Sequence, residues 1–283
     1  MPESSALPGP AEPTATTTIG DGLYAETFQP SGAAKGSVII THGYADHSGR
    51  YRELAHVIKN AGWAVLSWDV RGHGKSPGPR GYIDHFSRYL DDFALASTAT
   101  RGLAAGKPFV MVGHSHGSLI TLRALCAERP AEATAAIVSS PFLGLRLAVP
   151  KVKILAGKIA SVIAPRFAQK NELRPEDLTH DKQKQAERVA DKLCFDVATA
   201  RWFTEASKAQ AYCYDHADRI KVPTTWLVGA EDPIADPAQS KRVAARAPKS
   251  TYHDLVGMRH EVFNEVDRAK VFALVTGVLA ASA

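Results

Sequence analysis

Short apolar runs alternate with longer amphipathic stretches along most of the chain. The apolar runs are rich in β-branched residues, and their length is typical of strands buried on both faces. Six strands are predicted in this way, at Ser37–Thr41, Ala64–Trp68, Phe109–Gly113, Ala136–Ser139, Thr225–Gly229 and Ser250–Val256. Helices are predicted at Arg50–Ala61, Phe86–Ala104, Ser118–Ala127, Pro237–Ala247 and Val262–Leu279. This alternation predicts an α/β fold with a mostly parallel central sheet flanked by helices.

The alternation stops between residues 142 and 222. This segment has helical periodicity without a convincing strand, and it lies between two strands of the predicted sheet. The chain must leave the sheet and return, which predicts a helical cap at 142–222 inserted into a core formed by residues 19–141 and 223–283. Residues 1–18 consist mainly of Pro, Ala, Ser and Thr, a composition that predicts a disordered leader.

Composition narrows the class of protein. The chain has 283 residues, of which 45% are hydrophobic and 22% charged, as in a globular domain. Its three cysteines are few and widely spaced, which argues against a disulfide framework or a zinc site and favours a reducing, cytoplasmic setting. The net charge of +5 comes without a dense Lys/Arg run, so no nucleic-acid partner is expected. Neither a secretory signal nor a membrane-spanning apolar run is visible.

One serine lies in a context typical of a nucleophile. The sequence Gly113-His-Ser-His-Gly117 follows an apolar strand and begins a helical stretch. A G-x-S-x-G sequence placed in this way forms a tight strand-to-helix turn that exposes its serine at the edge of a sheet. The glycines relieve crowding in the turn, and the helix start favours a developing negative charge. We therefore expect Ser115 to be a nucleophile rather than part of an ordinary Gly-rich turn.

A serine nucleophile needs a base, usually a histidine that a carboxylate orients. After a nucleophile of this kind the acid comes next along the chain and the histidine last. Asp232 follows the strand that ends at residue 229, and His260 follows the next strand. Both are therefore expected at the carboxyl ends of parallel strands, the same edge as Ser115.

Each of these two positions has a rival. Glu231 is the alternative acid, but Asp232 is preferred because the following Pro233 should fix the loop that aims it. His253 is the alternative base, but it lies inside the last predicted strand and is expected to be structural.

A tetrahedral intermediate also needs backbone N–H donors for its oxygen. One donor is expected from the residue after the nucleophile, His116. The other is expected from the loop after the first predicted strand, where Tyr44 is the candidate and Gly43 allows close approach. The side chains of His114 and His116 are expected to pack or to hydrogen-bond rather than to catalyse.

Two other motifs bear on metal and nucleotide binding. His42 and His47 lack the surrounding Cys or carboxylate cluster of a metal site, so no catalytic metal is expected. Asp69–Ser76 is rich in glycine but lacks the G-x-x-x-x-G-K spacing of a phosphate-binding loop. It is therefore interpreted as a structural loop.

Several blocks of sequence together resemble monoacylglycerol lipases and bacterial lysophospholipases of the α/β-hydrolase superfamily. His42–Tyr51 is similar to the HGxxEHSxRY block of that family, and Asp69–Ser76 to its DxRGHGxS block. Arg80–Phe86 and Tyr89–Asp92 resemble the segments that follow, and His260–Glu265 resembles the closing HExxNE. The resemblance runs from about residue 18 to the C-terminus.

The resemblance implies an α/β-hydrolase fold and a serine hydrolase that needs no cofactor or metal. It places Ser115, Asp232 and His260 on the family triad, and Tyr44 and His116 on the oxyanion positions. The family often carries Met or Leu where this chain has His116. The implied substrate is a small-molecule acyl ester such as a monoacylglycerol or a lysophospholipid. The cap sequence matches least well, so chain length and head group stay open.

The predicted cap begins with the pattern of a basic amphipathic helix. Between Leu143 and Pro165 the apolar residues fall near one helical face, among interspersed Arg and Lys. Such a helix either contacts a lipid interface and admits an acyl chain, or packs on its own domain, and the sequence leaves both open. The charged stretch Lys182–Leu193 is expected to be a solvated helix.

Other functions fit parts of this pattern. An aminopeptidase or amidase would use the same triad and would need acidic groups for the substrate amine, for which Glu172, Glu176 and Asp177 are candidates. A dehalogenase or epoxide hydrolase is disfavoured because it would carry Asp in place of Ser115. A non-catalytic binding protein on the same fold is disfavoured because the three triad residues and the oxyanion loop are all present.

Overall fold

The computed structural model describes residues 9–146, 151–171 and 173–283, without the side chains of residues 151–154. Its centre is an eight-stranded sheet in the order β1-β2-β4-β3-β5-β6-β9-β10, and β7 pairs with β8 in a separate small sheet. The strands are β1 (Ala15–Ile19), β2 (Leu23–Phe28), β3 (Ser37–Thr41), β4 (Ala64–Trp68), β5 (Phe109–His114), β6 (Ala135–Ser139), β7 (Ala168–Lys170), β8 (Val197–Thr199), β9 (Thr224–Gly229) and β10 (Ser250–Leu255).

Helices cover the sheet and fill the long connection between β6 and β9. They are α1 (Arg52–Asn60), α2 (Ser87–Gly102), α3 (His116–Leu125), α4 (Lys151–Ile163), α5 (Pro175–Leu178), α6 (Lys182–Ala190), α7 (Ala200–Asp215), α8 (Pro237–Ala244) and α9 (Arg268–Ser282). The six strands from β4 to β10 in the sheet order pair in parallel, whereas β2 runs antiparallel to β4 and β1 antiparallel to β2. The prediction of an α/β fold with a mostly parallel sheet is confirmed.

The middle strands of the sheet are almost wholly buried. All residues of β3, β4, β5 and β6 are buried, which explains their continuous apolar runs. Two clusters of apolar side chains occupy the two faces of the sheet and pack it against the helices. This burial fixes the strand register, and with it the relative positions of the loops at the carboxyl edge.

The sequence analysis missed the N-terminal hairpin. Residues 15–18, which their composition assigns to a disordered leader, form most of β1, and the first eight residues of that leader lie outside the described residues. The Thr-rich stretch pairs with β2 over its full length, from Ala15 opposite Thr27 to Ile19 opposite Leu23. A polar β-branched run is a good edge strand because only one of its faces has to be buried.

The segment between β6 and β9 is mainly helical but contains two strands that were not predicted. It carries α4, β7, α5, α6, β8 and α7, and we refer to residues 142–222 as the insertion. β7 and β8 pair antiparallel over only three residues each, which is too short for sequence periodicity to reveal. Within the described residues no helix combines the length and apolarity that crossing a bilayer requires.

Charged side chains attach α6 to the core. The Lys184 ammonium lies 3.4 Å from a Glu53 carboxylate oxygen, and the Arg268 guanidinium lies 3.0 Å from Asp181 at the start of the helix. Asp191, just after α6, accepts a 2.7 Å hydrogen bond from His47. No residue of α6 is buried, in keeping with the expectation that Lys182–Leu193 would be a solvated helix, but the ionic contacts on its core-facing side were not predicted.

Candidate active site

Ser115 lies in the sharp turn between β5 and α3. Its backbone has a positive φ of 51° with ψ of −112°, a conformation that non-glycine residues rarely adopt. Gly117 must be glycine because a Cβ atom there would overlap the carbonyl oxygens of Thr41 and His42. The β3 loop, the turn and α3 are thus in direct backbone contact, as a nucleophile elbow requires.

Three side chains that are far apart in the sequence meet above this turn. His260 Nε2 lies 2.9 Å from Ser115 Oγ, and His260 Nδ1 lies 2.7 Å from Asp232 Oδ2. Ser115 follows β5, Asp232 follows β9 and His260 follows β10, so each stands at the carboxyl end of a parallel strand. With the Nδ1 proton donated to Asp232, Nε2 is free to accept the hydroxyl proton of Ser115.

Backbone groups hold the Asp232 carboxylate in place. Its Oδ1 atom accepts hydrogen bonds from the N–H groups of Ile234 and Ala235 at 2.8 and 3.0 Å, which leaves Oδ2 for His260. The Arg146 guanidinium donates to the main-chain carbonyl of Asp232 at 2.7 Å. The side chain is fully buried, so its only partners for charge and hydrogen bonding are these protein groups.

The rival residues lie away from the nucleophile. Glu231 directs its carboxylate outward, with 54% of the side chain exposed, and lies 3.8 Å from His180 of the insertion. His253 lies within β10 and is partly buried. The geometry therefore brings Asp232 and His260 to Ser115, and it brings neither Glu231 nor His253 there.

The charge of Asp232 controls the proton affinity of His260. Burial lowers the pKa of His260, but the negative charge of Asp232 and the hydrogen bond to it outweigh burial, with further contributions from Glu261 and Asp46. The net result is a pKa above the usual value for histidine. An imidazole in this setting is stabilised in the charged form that appears when it takes a proton from Ser115.

Two backbone N–H groups near Ser115 have no acceptor in the described part of the chain. A Cβ atom at Gly43 would lie only 3.4 Å from the Ser115 Cβ, so the loop after β3 is in contact with Ser115. The next residue, Tyr44, makes no backbone N–H hydrogen bond within the part of the chain that the structure describes. His116 is the first residue of α3, where an N–H group has no intrahelical acceptor. Both N–H groups are therefore free to bind an oxyanion.

The imidazoles beside the nucleophile are neutral packing groups. His114 Nδ1 lies 3.1 Å from Ser139 Oγ, and the His116 ring packs against Tyr89 and Trp202 with centroids 4.9 and 5.5 Å away. Burial lowers the pKa of both histidines to about 3, so neither is positioned to exchange protons near neutral pH.

Ser115 and His260 form part of the wall of a cavity of about 190 Å³. Most of the remaining wall consists of apolar side chains from the insertion and from loops next to it. These side chains are Phe142, Leu145, Leu173, Leu178, Ala198, Trp202, Phe203 and Ile234. Such a wall favours a hydrocarbon chain, because binding removes apolar surface from water.

The cavity also has a charged end that the sequence analysis did not find. Arg50 donates to both carboxylate oxygens of Glu261 at 2.8 and 2.7 Å and to Asp46 at 3.1 Å. Arg188, from α6, lies 3.7 Å from the same Asp46 oxygen. Burial raises the pKa of both acids, but the guanidinium charges outweigh it and hold both values low, that of Glu261 at about 2. Two carboxylates and two guanidinium groups thus balance in charge.

Only some residues of this charged end belong to motifs that can be recognised in the sequence. Asp46 and Arg50 belong to the block that resembles HGxxEHSxRY, and Glu261 directly follows His260. Their mutual pairing depends on the fold. Arg188 gave no signal at all, because it lies in a polar helix in which nothing distinguishes it from the other charged residues.

The histidines considered as metal ligands have other partners. His42 Nε2 accepts from the Val70 N–H at 2.9 Å, and its Nδ1 lies 2.6 Å from the Gly43 carbonyl oxygen. His47, Asp191 and Cys194 do bring a nitrogen, an oxygen and a sulfur within 4.8 Å of one another.

That trio is a poor cation site. His47 Nδ1 accepts from the Gly49 N–H, and its Nε2 donates to Asp191, so both ring nitrogens are engaged. The Arg188 guanidinium lies 3.0 Å from Cys194 Sγ and places a positive charge where the metal would be. Burial and the charge of Asp46 raise the pKa of Cys194 to about 12, which keeps the thiol protonated.

The loop Asp69–Ser76 has a structural role in the core. Asp69 accepts from the backbone N–H groups of Ser48 and Lys75, both at 2.7 Å, and so ties two loops together. Arg71 pairs with Asp92 of α2 rather than with Asp69. The Arg71 guanidinium therefore joins this loop to α2.

The chain is similar to known hydrolases over most of its length. The family described as "Serine aminopeptidase, S33" matches residues 32–267. A monoglyceride lipase homolog of monkeypox virus is 31% identical over 252 residues, which covers 88% of this chain and 90% of the viral protein. A phospholipase of Bacillus subtilis is 27% identical over 238 residues, which covers 83% of this chain and 91% of that protein.

A solved structure of similar shape points in the same direction. The monoacylglycerol lipase of Paleococcus ferrophilus superposes with a TM-score of 0.83 at 26% identity, covering 92% of this chain and 99% of that enzyme's chain. Residues 32–267, over which the chain matches the family, include Ser115, Asp232 and His260. The chain therefore belongs to the S33 serine aminopeptidase family of α/β-hydrolases, and within it to the monoacylglycerol lipase-like members.

Proposed function

We propose that this hydrolase cleaves esters of a fatty acid with a small neutral alcohol, of the monoacylglycerol type, through Ser115, His260 and Asp232. The observation that carries the proposal is the continuous hydrogen-bonded series from Ser115 Oγ to His260 at 2.9 Å and from His260 to Asp232 at 2.7 Å, at the wall of a largely apolar cavity. The relatives named as monoglyceride and monoacylglycerol lipases support the same substrate class.

Acylation would begin with proton transfer. His260 takes the hydroxyl proton of Ser115 as the serine oxygen attacks the ester carbonyl carbon. The carbonyl oxygen becomes an oxyanion, which the N–H groups of Tyr44 and His116 stabilise. His260 then protonates the departing alcohol oxygen, the C–O bond breaks, and Ser115 carries the acyl group.

Deacylation repeats these steps with water. His260 removes a proton from a water molecule, the hydroxide attacks the acyl carbon, and the same two N–H groups hold the second oxyanion. The proton returns through His260 to the oxygen of Ser115, and the fatty acid is released. Asp232 remains ionised throughout and keeps the His260 proton on Nδ1.

The charged end of the cavity favours a neutral, hydroxyl-bearing alcohol. Asp46 and Glu261 offer carboxylate oxygens to hydroxyl protons, and Arg188 offers N–H groups to hydroxyl oxygens. A phosphate would meet two ionised carboxylates whose charge is already balanced, by Arg50 paired with both of them and by Arg188 near Asp46, so no positive charge is left over for it. We therefore place monoacylglycerols ahead of lysophospholipids as substrates.

The same charge balance disfavours the aminopeptidase alternative. An amine substrate needs a carboxylate with negative charge to spare, but Arg50 and Arg188 together balance the charges of Asp46 and Glu261. Of the acids named from the sequence, Asp177 pairs with Arg174 at 2.8 Å, and Glu176 lies 3.8 Å from the same arginine. The third, Glu172, lies outside the described residues.

We further propose that the insertion is a cap whose α4 face contacts a lipid surface. Leu155, Ile159, Val162 and Ile163 recur at helical spacing, and between 52% and 78% of each residue is exposed. Lys158 on the same helix is exposed as well and suits anionic lipid. The side chains of Lys151, Lys153 and Ile154, which belong to the same predicted amphipathic segment, lie outside the described residues.

Replacement of Ser115 by alanine tests the nucleophile. We expect Ser115→Ala to lower kcat on a p-nitrophenyl ester by about 10⁴- to 10⁶-fold, with an unchanged thermal unfolding midpoint, because only the attacking oxygen is lost. Labelling by a fluorophosphonate probe should disappear in parallel. Ser97→Ala, a buried serine of α2, is the matched control and should retain wild-type rate and labelling. Substantial esterase activity in Ser115→Ala would refute the assignment.

The pH dependence of kcat/KM tests the role of Asp232. Activity needs neutral His260, so it should fall as pH drops through the pKa of His260, with a midpoint above about 6.5 because Asp232 raises that pKa. Asp232→Asn should lower kcat by about 10⁴-fold and shift the remaining acid limb to lower pH. Glu231→Gln should change neither rate nor midpoint. An acid limb in Asp232→Asn at the wild-type position would contradict the assignment.

Substrates that share one acyl chain test the head-group proposal. We expect kcat/KM for a monoacylglycerol to exceed that for lysophosphatidylglycerol by at least about tenfold, since the phosphate would lie beside two buried carboxylates. An aminoacyl anilide should be hydrolysed only at trace rates. Equal or faster turnover of the lysophospholipid would remove the preference while leaving ester hydrolysis intact.

Vesicle binding tests the α4 surface. Val162→Glu should reduce co-sedimentation with anionic phospholipid vesicles by about tenfold, because a charge replaces a side chain that would enter the apolar region. Hydrolysis of water-soluble p-nitrophenyl butyrate should not change. Val256→Glu carries the same substitution at a position that is 85% exposed outside the insertion, and it should bind vesicles like the wild type. Wild-type sedimentation of Val162→Glu would rule out this surface.

A further inference from the structure

We infer that the insertion positions the oxyanion loop through the side chain of Tyr44. The inference rests on the proposed function, in which the backbone N–H of Tyr44 binds the oxyanion. The backbone of this residue belongs to the loop after β3, whereas its side chain reaches the insertion, where it bonds to Val197 and makes its closest ring contact, with Trp202. Its other contacts are with Phe195 of the insertion and with Gly81, His73 and His116 of the core. The side chain of Tyr44 thus positions the backbone N–H of the same residue, and the insertion determines where that side chain lies.

The Tyr44 hydroxyl joins two segments that are remote in sequence. It lies 2.9 Å from the carbonyl oxygen of Val197 at the start of β8 and 3.2 Å from the carbonyl oxygen of Gly81. A phenol has a single proton, so it donates to one of these oxygens or shares the proton between them. Burial raises the pKa of Tyr44, and the hydroxyl therefore stays protonated and remains a donor.

The Tyr44 ring is held by aromatic side chains of the insertion. It stacks on Trp202 of α7, with ring centroids 3.6 Å apart and planes inclined by 28°, and meets Phe195 edge-on with centroids 5.5 Å apart. Trp202 in turn stacks against Phe142. Aromatic contacts of this kind contribute more free energy than burial of their apolar area alone, so they hold the Tyr44 ring against the insertion.

The backbone of the loop needs such support. Ala45, directly after Tyr44, has a positive φ of 57°, a strained conformation for a residue with a side chain. On the other side, Gly43 touches the residues of the nucleophile turn. The Tyr44 N–H therefore lies in a short, strained loop that the Tyr44 side chain helps to hold in place. In other enzymes a displacement of about 1 Å in a catalytic group costs around a hundredfold in rate.

Gly81 and β8 complete a single hydrogen-bonded unit. Besides Tyr44, the Gly81 carbonyl accepts from the Thr199 hydroxyl at 2.7 Å and from its N–H at 3.3 Å. The segment before α2, the β8 strand and the oxyanion loop are thus joined at one point. Because Trp202 and Phe203 also line the acyl cavity, the elements that receive the acyl chain are those that hold the oxyanion donor.

Removal of one hydroxyl group provides the first test. Tyr44→Phe keeps the ring and the backbone N–H but loses the anchor to Val197 and Gly81. We expect kcat on a monoacylglycerol to fall by about tenfold with KM changed less than about twofold, because the loss lies in oxyanion stabilisation. Tyr212→Phe removes a phenolic hydroxyl from α7, away from Ser115, and should leave kcat unchanged.

A transition-state analogue separates positioning from loss of packing. The carbonyl carbon of an alkyl trifluoromethyl ketone bonds to Ser115 Oγ, the serine proton passes to His260, and the carbonyl oxygen becomes an alkoxide in the oxyanion position. We expect the inhibition constant for Tyr44→Phe to rise by the same factor by which kcat/KM falls. Wild-type kcat, or a loss confined to KM, would overturn the inference.

A double-mutant cycle with Gly81 provides an independent test. A methyl group at Gly81 would overlap the Tyr44 hydroxyl, although Gly81 does not line the acyl cavity. Gly81→Ala should therefore lower kcat in the wild type more than in Tyr44→Phe, where the overlapping oxygen is gone. Placing a side chain at φ +64° strains the backbone equally in the wild type and in Tyr44→Phe, so this effect cancels when the two losses are compared. An equal loss in both backgrounds would refute the coupling.

Failure of the inference is distinguishable from failure of the proposed function. If Ser115 is not the nucleophile, Ser115→Ala stays active and the trifluoromethyl ketone does not inhibit the wild type. If the proposed function holds and the inference fails, the wild type is inhibited and Tyr44→Phe matches it in kcat and in inhibition constant.

Discussion

The carboxyl ends of β5, β9 and β10 lie at one edge of the sheet because these strands run in the same direction. Every other property of the site depends on this constraint. Ser115, Asp232 and His260 each follow one of those strands, so the fold brings a hydroxyl, a carboxylate and an imidazole together. Burial of the sheet on both faces keeps the register fixed, and the distances between the three side chains are therefore a property of the core.

Buried charge adds a second constraint around the site. Arg50 joins Asp46 to Glu261 next to His260, and Arg188 reaches the same group from the insertion. A buried ion pair contributes little net stability, but the loss of one partner leaves a costly unpaired charge. This set of side chains is for that reason stable only when complete, and it fixes the polar end of the cavity and the loop of His260 together.

The sequence predicted the elements whose signal is local. The β3 and β4 strands were predicted to the residue, and the strand–turn–helix context of Ser115 identified the elbow.

The prediction failed for segments whose structure depends on a partner that is distant in sequence. Residues 15–18 are polar and form a strand only because β2 pairs with them, and β7 and β8 are too short to show a period. Arg188 lies in a helix that looks solvated until its core-facing partners are known. Likewise, the anchoring of Tyr44 involves residues more than a hundred positions away, which no local pattern contains.

The two halves of the insertion are attached to the core by different forces. The α6 half is held by partly exposed ionic contacts such as Lys184 with Glu53 and Arg268 with Asp181, whereas the α7 half is held by the stacking of Trp202 on Tyr44. Dissolved salt weakens the first kind of attachment and has little effect on the second. Ionic strength therefore acts on the polar end of the cavity, where Arg188 of α6 lies, while the apolar wall at Trp202 keeps its shape. A change in salt concentration thus alters one end of the binding site and leaves the other end unchanged.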